Sequence, residues 1–293
     1  MNWDDVRIFL SVARTGQILG GARRLGLNHA TVSRRIAALE AAIGAKLIRR
    51  TTVGSELTEA GERLLPVAER MEADMISARA EIAGETEEIS GTVRIGAPDG
   101  FGVAFLAPRL GGLAERHPGL AIQLVPVPRS FSLSRREADI AITVDRPTEG
   151  RLVAGKLVDY TLGLYASKGY AAAHGLPERA EALSHHRLVG YVPDLVISPT
   201  LDYAAEVSET WKAAFAVSSA MGQVEAVRSG AGIGILHTFI ARRHPDLVAV
   251  PFARPIRRSY WLVYHESMRP TRSIQAVAAF VGELVERERA LFS

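Results

Sequence analysis

No cysteine occurs among the 293 residues. That excludes disulfides, thiolate metal sites and cysteine nucleophiles, and it fits a reducing cytoplasm. Nor does any uninterrupted apolar run approach the roughly 18 residues that a membrane helix needs. The first ten residues, MNWDDVRIFL, place acids ahead of a short apolar run. A secretory signal needs a basic start and a longer apolar core. The expectation is a soluble cytoplasmic protein with no membrane partner. Charge of one sign is also scarce overall: the formal net charge is only +3, so the chain as a whole is not a polybasic nucleic-acid coat. What is abundant is apolar side chain, 47% of the residues, enough to bury cores in two or three domains.

The stretch from Gly16 to Thr52 organises the rest. A short apolar helix over Ile18 to Leu25 runs into Gly26, a natural stop because glycine takes the left-handed conformation cheaply. Asn28 then stands as a cap for a second helix. In that helix Val32, Ile36 and Leu39 recur at helical spacing and make one apolar face. Ala30, Thr31 and Arg34 fall on the opposite face, with Ser33 and Arg35 on its shoulders. A helix with an apolar back and a small, polar and basic front, after a tight turn from a shorter helix, is the helix-turn-helix pattern, whose second helix enters the DNA major groove. The bland reading is a surface helix with ordinary arginines. An opening helix over Trp3 to Arg14, apolar at Val6, Phe9, Leu10 and Ala13, would support the pair.

Leu47 and Ile48 then lead into basic and β-branched residues and a turn at Gly54, which reads as a two-stranded wing. Arg49, Arg50 and Thr51 would lie at the DNA backbone. From Met1 to Ser55 nine Lys and Arg stand against three Asp and Glu. Glu56 to Ser90 reverses this, with three basic and ten acidic residues. Positive charge is concentrated where DNA contact is expected.

The run Ala22-Arg23-Arg24-Leu25, Val32-Ser33-Arg34-Arg35-Ile36, Leu39-Glu40, Gly44, Leu47, Arg50-Thr51, Leu57-Thr58-Glu59-Ala60-Gly61 resembles the N-terminal domain of LysR-type transcriptional regulators. The match is dense over about the first sixty residues and weaker beyond. The resemblance implies an N-terminal winged helix-turn-helix (helical, with a small β wing), a long linker helix, and a C-terminal α/β domain of two Rossmann-like subdomains, similar to periplasmic binding proteins. The expected boundaries are 1–57 for the DNA-binding head, 58–89 for the linker and 90–293 for the effector domain. Within the last, subdomain I takes 90–160 and 267–293, and subdomain II takes 161–266.

Thr58 is a good cap and Glu59 suits a first helical turn. From there Leu57, Ala60, Leu64, Val67, Met71, Met75, Ala78 and Ile82 recur at steps of 3 or 4, close to a heptad seam sustained to about Glu88. Such a thin stripe asks for a partner: a second copy of the chain, or the rest of its own chain. Pro66 inside it deletes one backbone hydrogen bond and is expected to kink the first turns or mark a later start.

Beyond Gly91 strands alternate with helical segments, implying parallel α/β units. Strands are expected over Gly91–Gly96, Leu120–Val127, Asp139–Val144, Tyr160–Ser167, Leu188–Val192, Gly232–Leu236, Leu247–Val250 and Tyr260–His265, with Phe215–Ser218 leading into a helix. Helices are expected over Phe101–His117, Ser219–Ser229 and Thr271–Leu291. The resemblance adds two strands crossing between the subdomains, near Tyr160 and near Tyr260 to Glu266, and returns the last helix to the first subdomain.

Small ligands favour the carboxyl ends of parallel strands, and the family binds its effector there. The loop Pro98-Asp99-Gly100-Phe101 lies between a strand and a helix, where backbone amides often hold anions. By the same pattern Ser130, Phe131, Val217, Ser218 and Ile233 would line the cleft. The family often carries Ser or Thr near that first loop, whereas this chain has Asp99. A carboxylate there would repel an anionic effector, leaving a neutral or cationic ligand or an unused pocket; equally, Asp99 simply caps the helix. Gly230, Gly232 and Gly234 only faintly echo a dinucleotide loop. His185 and His186 have no second ligand pair, so no metal or cofactor is expected. Ser218, Ser219 and His237 lack a strained nucleophile motif such as GxSxG. Trp211 and Trp261 read as core or rim residues.

The function expected is a sequence-specific, effector-modulated transcriptional regulator, not an enzyme. Asn28 and His29 would begin the reading helix, Ala30, Thr31, Ser33, Arg34 and Arg35 would read bases or adjacent phosphates, and Arg49, Arg50 and Thr51 would hold the backbone. Its partners would be double-stranded DNA, a small-molecule effector, and itself as homodimer or, as a dimer of dimers, homotetramer, with RNA polymerase a further partner of such a regulator. The competing readings, a cytoplasmic small-molecule binding protein or an α/β enzyme without DNA binding, leave the basic head and the heptad helix without a role.

Overall fold

The computed structural model describes residues 2–51, 54–82, 89–127, 137–148, 150–195, 201–209, 211–252 and 254–293. They divide into two compact units, one of residues 1–88, 132–137 and 265–272, the other of 89–131, 138–264 and 273–293.

The first unit begins with α1 (Trp3–Thr15), α2 (Ile18–Leu25) and α3 (His29–Ile43). Each start follows from a local signal. Asn2 Oδ1 accepts from Asp4 N at 3.0 Å, and Asn28 Oδ1 accepts from Thr31 N at 2.7 Å, satisfying amides that have no partner inside the helix. The turn between α2 and α3 is Gly26-Leu27-Asn28, with Gly26 left-handed at φ 65°. Leu27 N closes it on Ala22 O at 3.0 Å. The apolar stripes meet in one core of Val6, Phe9, Leu10, Val12, Ala22, Val32, Ile36, Leu39 and Leu47, each at most 5% exposed. At about 1.5–3 kcal/mol for each fully buried large aliphatic or aromatic side chain, this core outweighs any cap.

The wing is β1 (Ile48–Thr51) antiparallel to β2 (Gly54–Leu57), with Arg49 opposite Glu56 and Arg50 opposite Ser55. Glu40 anchors its base. Its buried carboxylate accepts from Lys46 Nζ at 2.6 Å, Leu47 N at 2.9 Å and Ile48 N at 3.3 Å. Burial opposes the ionised form, but these donors and the lysine charge outweigh it and hold the Glu40 pKa below the usual range.

α4 (Glu59–Ile82) follows, capped by Thr58, whose Oγ1 accepts from Gly61 N at 3.1 Å and donates to Lys46 O at 2.6 Å. Pro66 does not delay its start. The helix divides its apolar residues between two duties. Ala60, Leu64, Leu65 and the buried Ala68 pack on the head core, while Val67 and Met75 stand 40% and 53% exposed. Arg14, on α1, holds Glu72 through two bonds of 2.7 and 3.2 Å.

The second unit contains β3 (Gly91–Ala97), α5 (Asp99–Phe101), a π-helical turn (Gly102–Leu106), α6 (Gly111–Arg116), β4 (Leu120–Pro126), β5 (Ile140–Thr143) and β6 (Leu152–Ser167). It continues through α7 (Lys168–His174), β7 (Leu188–Gly190), α8 (Ala204–Val207), β8 (Phe215–Ala216), α9 (Ala220–Arg228), β9 (Ile233–His237), α10 (Thr238–Ala241), β10 (Leu247–Ala249), β11 (Ile256–His265) and α11 (Arg272–Arg287). Among the described residues its strands form one nine-stranded sheet ordered β4-β3-β5-β11-β6-β9-β7-β8, with β10 paired to β6. Both flanks are parallel, β3 with β4 and β5, and β7 with β8 and β9. At the centre β11 runs antiparallel to β5, and β6 antiparallel to β9 and β10. The sheet is therefore two parallel halves joined through two long strands, β6 and β11.

Two expected elements change shape. The strand expected from Tyr160 begins at Leu152 and runs 16 residues. The helix expected over Phe101–His117 starts at Asp99 and breaks into α5, the π-helical turn and α6. α7, α8 and α10 were not among the expected helices, although Ser167 caps α7 by accepting from Tyr170 N at 3.1 Å. α11 stops at Arg287, ahead of a short 3₁₀ turn over Arg289–Phe292. It returns to the first half-sheet, where Glu288 accepts from Arg109 Nε at 2.9 and 3.0 Å and from Nη2 at 2.6 Å, and Phe280 lies under Arg116 at 5.2 Å.

Candidate nucleic-acid interface and ligand cavity

On α3 the back and front separate as the spacing requires. Val32, Ile36 and Leu39 are buried, while Asn28, His29, Ala30 and Arg34 are exposed and Thr31 and Ser33 are half-buried. Ser33 Oγ itself is buried and makes no hydrogen bond among the described residues. Arg34 makes no ion pair or hydrogen bond there either, so its guanidinium fork is available to base edges or phosphate. Arg35 is spent differently. It pairs with Asp4 at 2.7 Å and Asp5 at 2.5 Å, bracing α3 against α1. Arg49 pairs across the wing with Glu56 at 2.9 Å, an exposed pair that costs little to open. Arg50 and Thr51 lie on β1, the side chain of Arg50 outside the described residues. Among the described residues the exposed front of α3 thus carries Arg34 without a partner, and Arg23 and Arg24 are exposed on the last turn of α2.

In the second unit a cavity of ≈ 480 Å³ opens beside the half-sheet of β7, β8 and β9. Tyr191, Tyr203 and Trp211 make its aromatic wall, with Gln223 and Ile235 behind them, and Asp202 and Lys212, one charge of each sign, exposed on its lining. Gln223 is 2% exposed and Tyr203 3% exposed. Gln223 Nε2 is buried and has no hydrogen-bond partner among the described residues. The Tyr160 and Tyr260 rings stack nearby at 4.1 Å, at the join of β6 and β11. Burial pushes the phenols of Tyr160, Tyr191, Tyr203 and Tyr260 well above their ordinary pKa, so all four are protonated.

The expected effector residues scatter. Ser130 and Phe131 lie outside the described residues. Phe101 is 0% exposed, packed against Phe105, Tyr260 and Phe292, and Ile233 is 0% exposed in β9. Neither reaches the cavity, whereas Ile235 does. Pro98, Val217 and Ser218 are half-buried. Asp99 is 7% exposed, and its carboxylate does cap a helix, though not its own. Oδ2 accepts from Ser219 Oγ at 2.6 Å and Met221 N at 3.1 Å, at the start of α9. Ser219 is thereby a helix cap and not a nucleophile. The cavity residues Tyr191, Tyr203, Trp211 and Gln223 were not foreseen as a site. Of them only Trp211 drew notice in the sequence, and then as core or rim. His186 Nδ1 lies 3.2 Å from the Tyr170 hydroxyl, and the described residues contain no cluster of three acids or histidines able to hold a metal.

Two family models match the chain: "Bacterial regulatory helix-turn-helix protein, lysR family" over residues 3–62 and "LysR substrate binding domain" over residues 86–286. The chain is 30% identical over 190 residues to the HTH-type transcriptional regulator CrgA of Neisseria meningitidis serogroup C (strain 8013), covering 65% of this chain and 64% of CrgA. It is 33% identical over 181 residues to the HTH-type transcriptional regulator DmlR of Escherichia coli (strain K12), covering 62% and 59%. The matched stretch therefore spans less than two thirds of either relative. Among solved structures, full-length LysG of Corynebacterium glutamicum, a LysR-type regulator with its effector Arg bound, shares the fold at a TM-score of 0.68, 21% identity, and coverage of 98% of this chain and 99% of that one.

Proposed function

This chain belongs to the LysR family of bacterial transcriptional regulators, a family of regulators and not of enzymes, and on that premise we propose that it binds duplex DNA through α3 and the wing and a small-molecule effector in the second unit. The observation that carries the reading is the division of α3 into a buried apolar back and an exposed front on which Arg34 is uncommitted. Arg34 reads base edges. Asn28, His29, Ala30, Thr31 and Ser33 lie along the same surface. Arg49, Arg50 and Thr51 face phosphate. Arg35 contributes by holding α3 against Asp4 and Asp5. α4 supplies the pairing surface for a second copy through Val67 and Met75, apolar residues left 40% and 53% exposed. That gives a homodimer, able to pair again as a tetramer, and two heads for two half-sites. No described helix is long and apolar enough to cross a membrane, which accords with a cytoplasmic regulator.

LysG takes its effector Arg within the same fold. In this chain the effector occupies the cavity between the aromatic wall and Gln223, where it biases the arrangement of the two half-sheets.

Affinity for duplex DNA is expected to fall steeply as salt rises, because each phosphate contact releases counterions. Arg34→Ala is expected to weaken specific binding by about 1–3 kcal/mol and to relax base preference at one position. Fluorescence anisotropy on specific and scrambled duplexes reads both. A variant that kept full affinity and full preference would remove α3 as the reading helix.

A further inference from the structure

Arg34 and Arg35 are consecutive on α3, yet the chain treats them differently. Arg34 is exposed and bonds to nothing among the described residues. Arg35 meets two carboxylates. Its Nη2 donates to Asp4 Oδ2 at 2.7 Å, and its Nε lies 2.5 Å from Asp5 Oδ1. Both acids come from the first turn of α1. Asp4 is shared, since its Oδ1 accepts from Arg7 Nε at 3.0 Å and from Arg7 Nη2 at 2.8 Å. Asp5 pairs with no cation but Arg35 among the described residues. One guanidinium is thus held by two acids while its neighbour in sequence is held by none.

A brace for α3 does not need this much charge. The helix is already seated through Val32, Ile36 and Leu39, at 0%, 5% and 0% exposure. The Arg35 side chain is 31% exposed and that of Asp4 44%, and ion pairs open to water add little to stability. What the acids do strongly is direct a cation. Arg35 lies four residues after Thr31, one helical turn along the same side of α3. Released there, its planar fork can turn to a phosphate. Held by Asp4 and Asp5 it cannot, and the two carboxylates themselves repel phosphate. Phosphate contacts raise affinity for every sequence alike, whereas base contacts discriminate. Keeping one arginine from the backbone therefore lowers the sequence-independent background and leaves more of the binding to Arg34.

We propose that Asp4 and Asp5 are specificity-determining residues of the head: they withhold Arg35 from the DNA backbone and so hold down binding to duplexes of the wrong sequence. The proposal rests on reading α3 as the DNA-reading helix. A brace and a restraint make opposite predictions. Removing a brace loosens α3 and weakens every complex, whereas removing a restraint strengthens the complex with non-cognate DNA.

Fluorescence anisotropy of the full chain tests this on two labelled duplexes, one of mixed sequence and one that the wild type itself enriches from a random-sequence pool. Each chain is measured at a temperature where its thermal melt shows it folded. Asp4→Asn/Asp5→Asn is expected to bind the mixed duplex roughly five- to tenfold more tightly per head near 0.1 M salt, and its plot of log affinity against log salt is expected to steepen by about 0.9 for each phosphate gained. Its preference for the enriched duplex is expected to shrink by a similar factor. Adding Arg35→Ala to that variant is expected to return the slope to near the wild-type value, which separates a released arginine from the general effect of two lost charges. Asp5→Asn alone leaves the Arg7–Asp4 pair in place and serves the same comparison should the double variant not fold. Binding of the mixed duplex no tighter than by the wild type, or a gain that survives Arg35→Ala, overturns the proposal. A wild type that bound no duplex even at low salt would end the regulator reading and the proposal together. A wild type that selects a sequence while the acid-less variant gains nothing would end the proposal alone.

Discussion

Replacing Gly61 with alanine is expected to destabilise the DNA-binding head by an amount at the upper end of the roughly 1–3 kcal/mol seen for overpacked cores, and to abolish duplex binding at temperatures the wild type tolerates. Gly61 lies in the first turn of α4, where an added Cβ would fall 2.2 Å from Leu47 O and 3.1 Å from Leu47 C. Those are backbone atoms, so no rotamer change relieves the clash. Nor is the Leu47 carbonyl free to move. Thr58 N donates to it at 3.0 Å, Leu47 N is held by Glu40 at 2.9 Å, and the Leu47 side chain is 0% exposed. Relief requires lifting the wing off α4, which displaces β1 and the arginine it carries at Arg49. Denaturant titration of the full chain with a probe in the head, such as the fluorescence of Trp3, reads the loss. Ala60→Gly, a change at the neighbouring position, is expected to cost only about 1 kcal/mol through helix propensity. An unchanged midpoint for Gly61→Ala would mean that α4 does not seat on Leu47.

Gly61 also shows what could and could not be read in advance. It stood in the Leu57-Thr58-Glu59-Ala60-Gly61 run that carried the family resemblance, yet its reason is a contact with a residue fourteen positions earlier, invisible to any local pattern. What was legible in the head was local: the Asn28 cap, the Gly26 stop, and the spacing of Val32, Ile36 and Leu39. These signals act within one or two helical turns, so propensity and packing agree. The charge of the head was legible too, but not its allocation. Arg35 and Arg49 are claimed by Asp4, Asp5 and Glu56, acids on α1 and β2 whose nearness depends on the tertiary fold. In the second unit Pro108 and the Gly111-Gly112 pair explain why one expected helix became several pieces. β6 extends back through Gly155 and Lys156, residues of poor strand propensity, because its place at the join of the half-sheets decides its conformation. β9 is buried along its whole length, so alternation could not tell Ile233 from the cavity-lining Ile235. The cavity itself gathers Tyr191, Tyr203, Trp211 and Gln223 from separate segments, and a site assembled that way has no spacing to read.

Lowering the pH from 7 to 4 is expected to cost the second unit roughly 3 kcal/mol through His237 alone. Burial drives the imidazole pKa down from 6.5 to about 4, with the nearby Asp99 charge opposing the shift. The ring is 7% exposed, stacked on Tyr160 at 5.3 Å and edge-on to Phe239 at 5.6 Å, a place where a cation loses its hydration. Between pH 6.5 and 4 the unfolded chain therefore binds a proton that the native chain refuses, and stability falls as pH falls. Above 6.5 the contribution is fully present, and below about 4 both states are protonated and the loss levels off. The carboxylates of Glu40, Asp159 and Glu288 work in a lower window. Each has its pKa held below the ordinary value, so their contributions fade only as pH drops through the acid range beneath. His237→Phe keeps an aromatic ring against Tyr160 and removes the titration. Urea midpoints of the full chain measured across this range are expected to slope for the wild type between pH 6.5 and 4, to lose most of that slope in the variant, and then to fall together. The residual slope comes from His186, whose pKa burial also lowers. Parallel curves through that window would mean that His237 titrates as it does in water, and that the join between the two half-sheets is open to solvent instead of sealed by the aromatic stack.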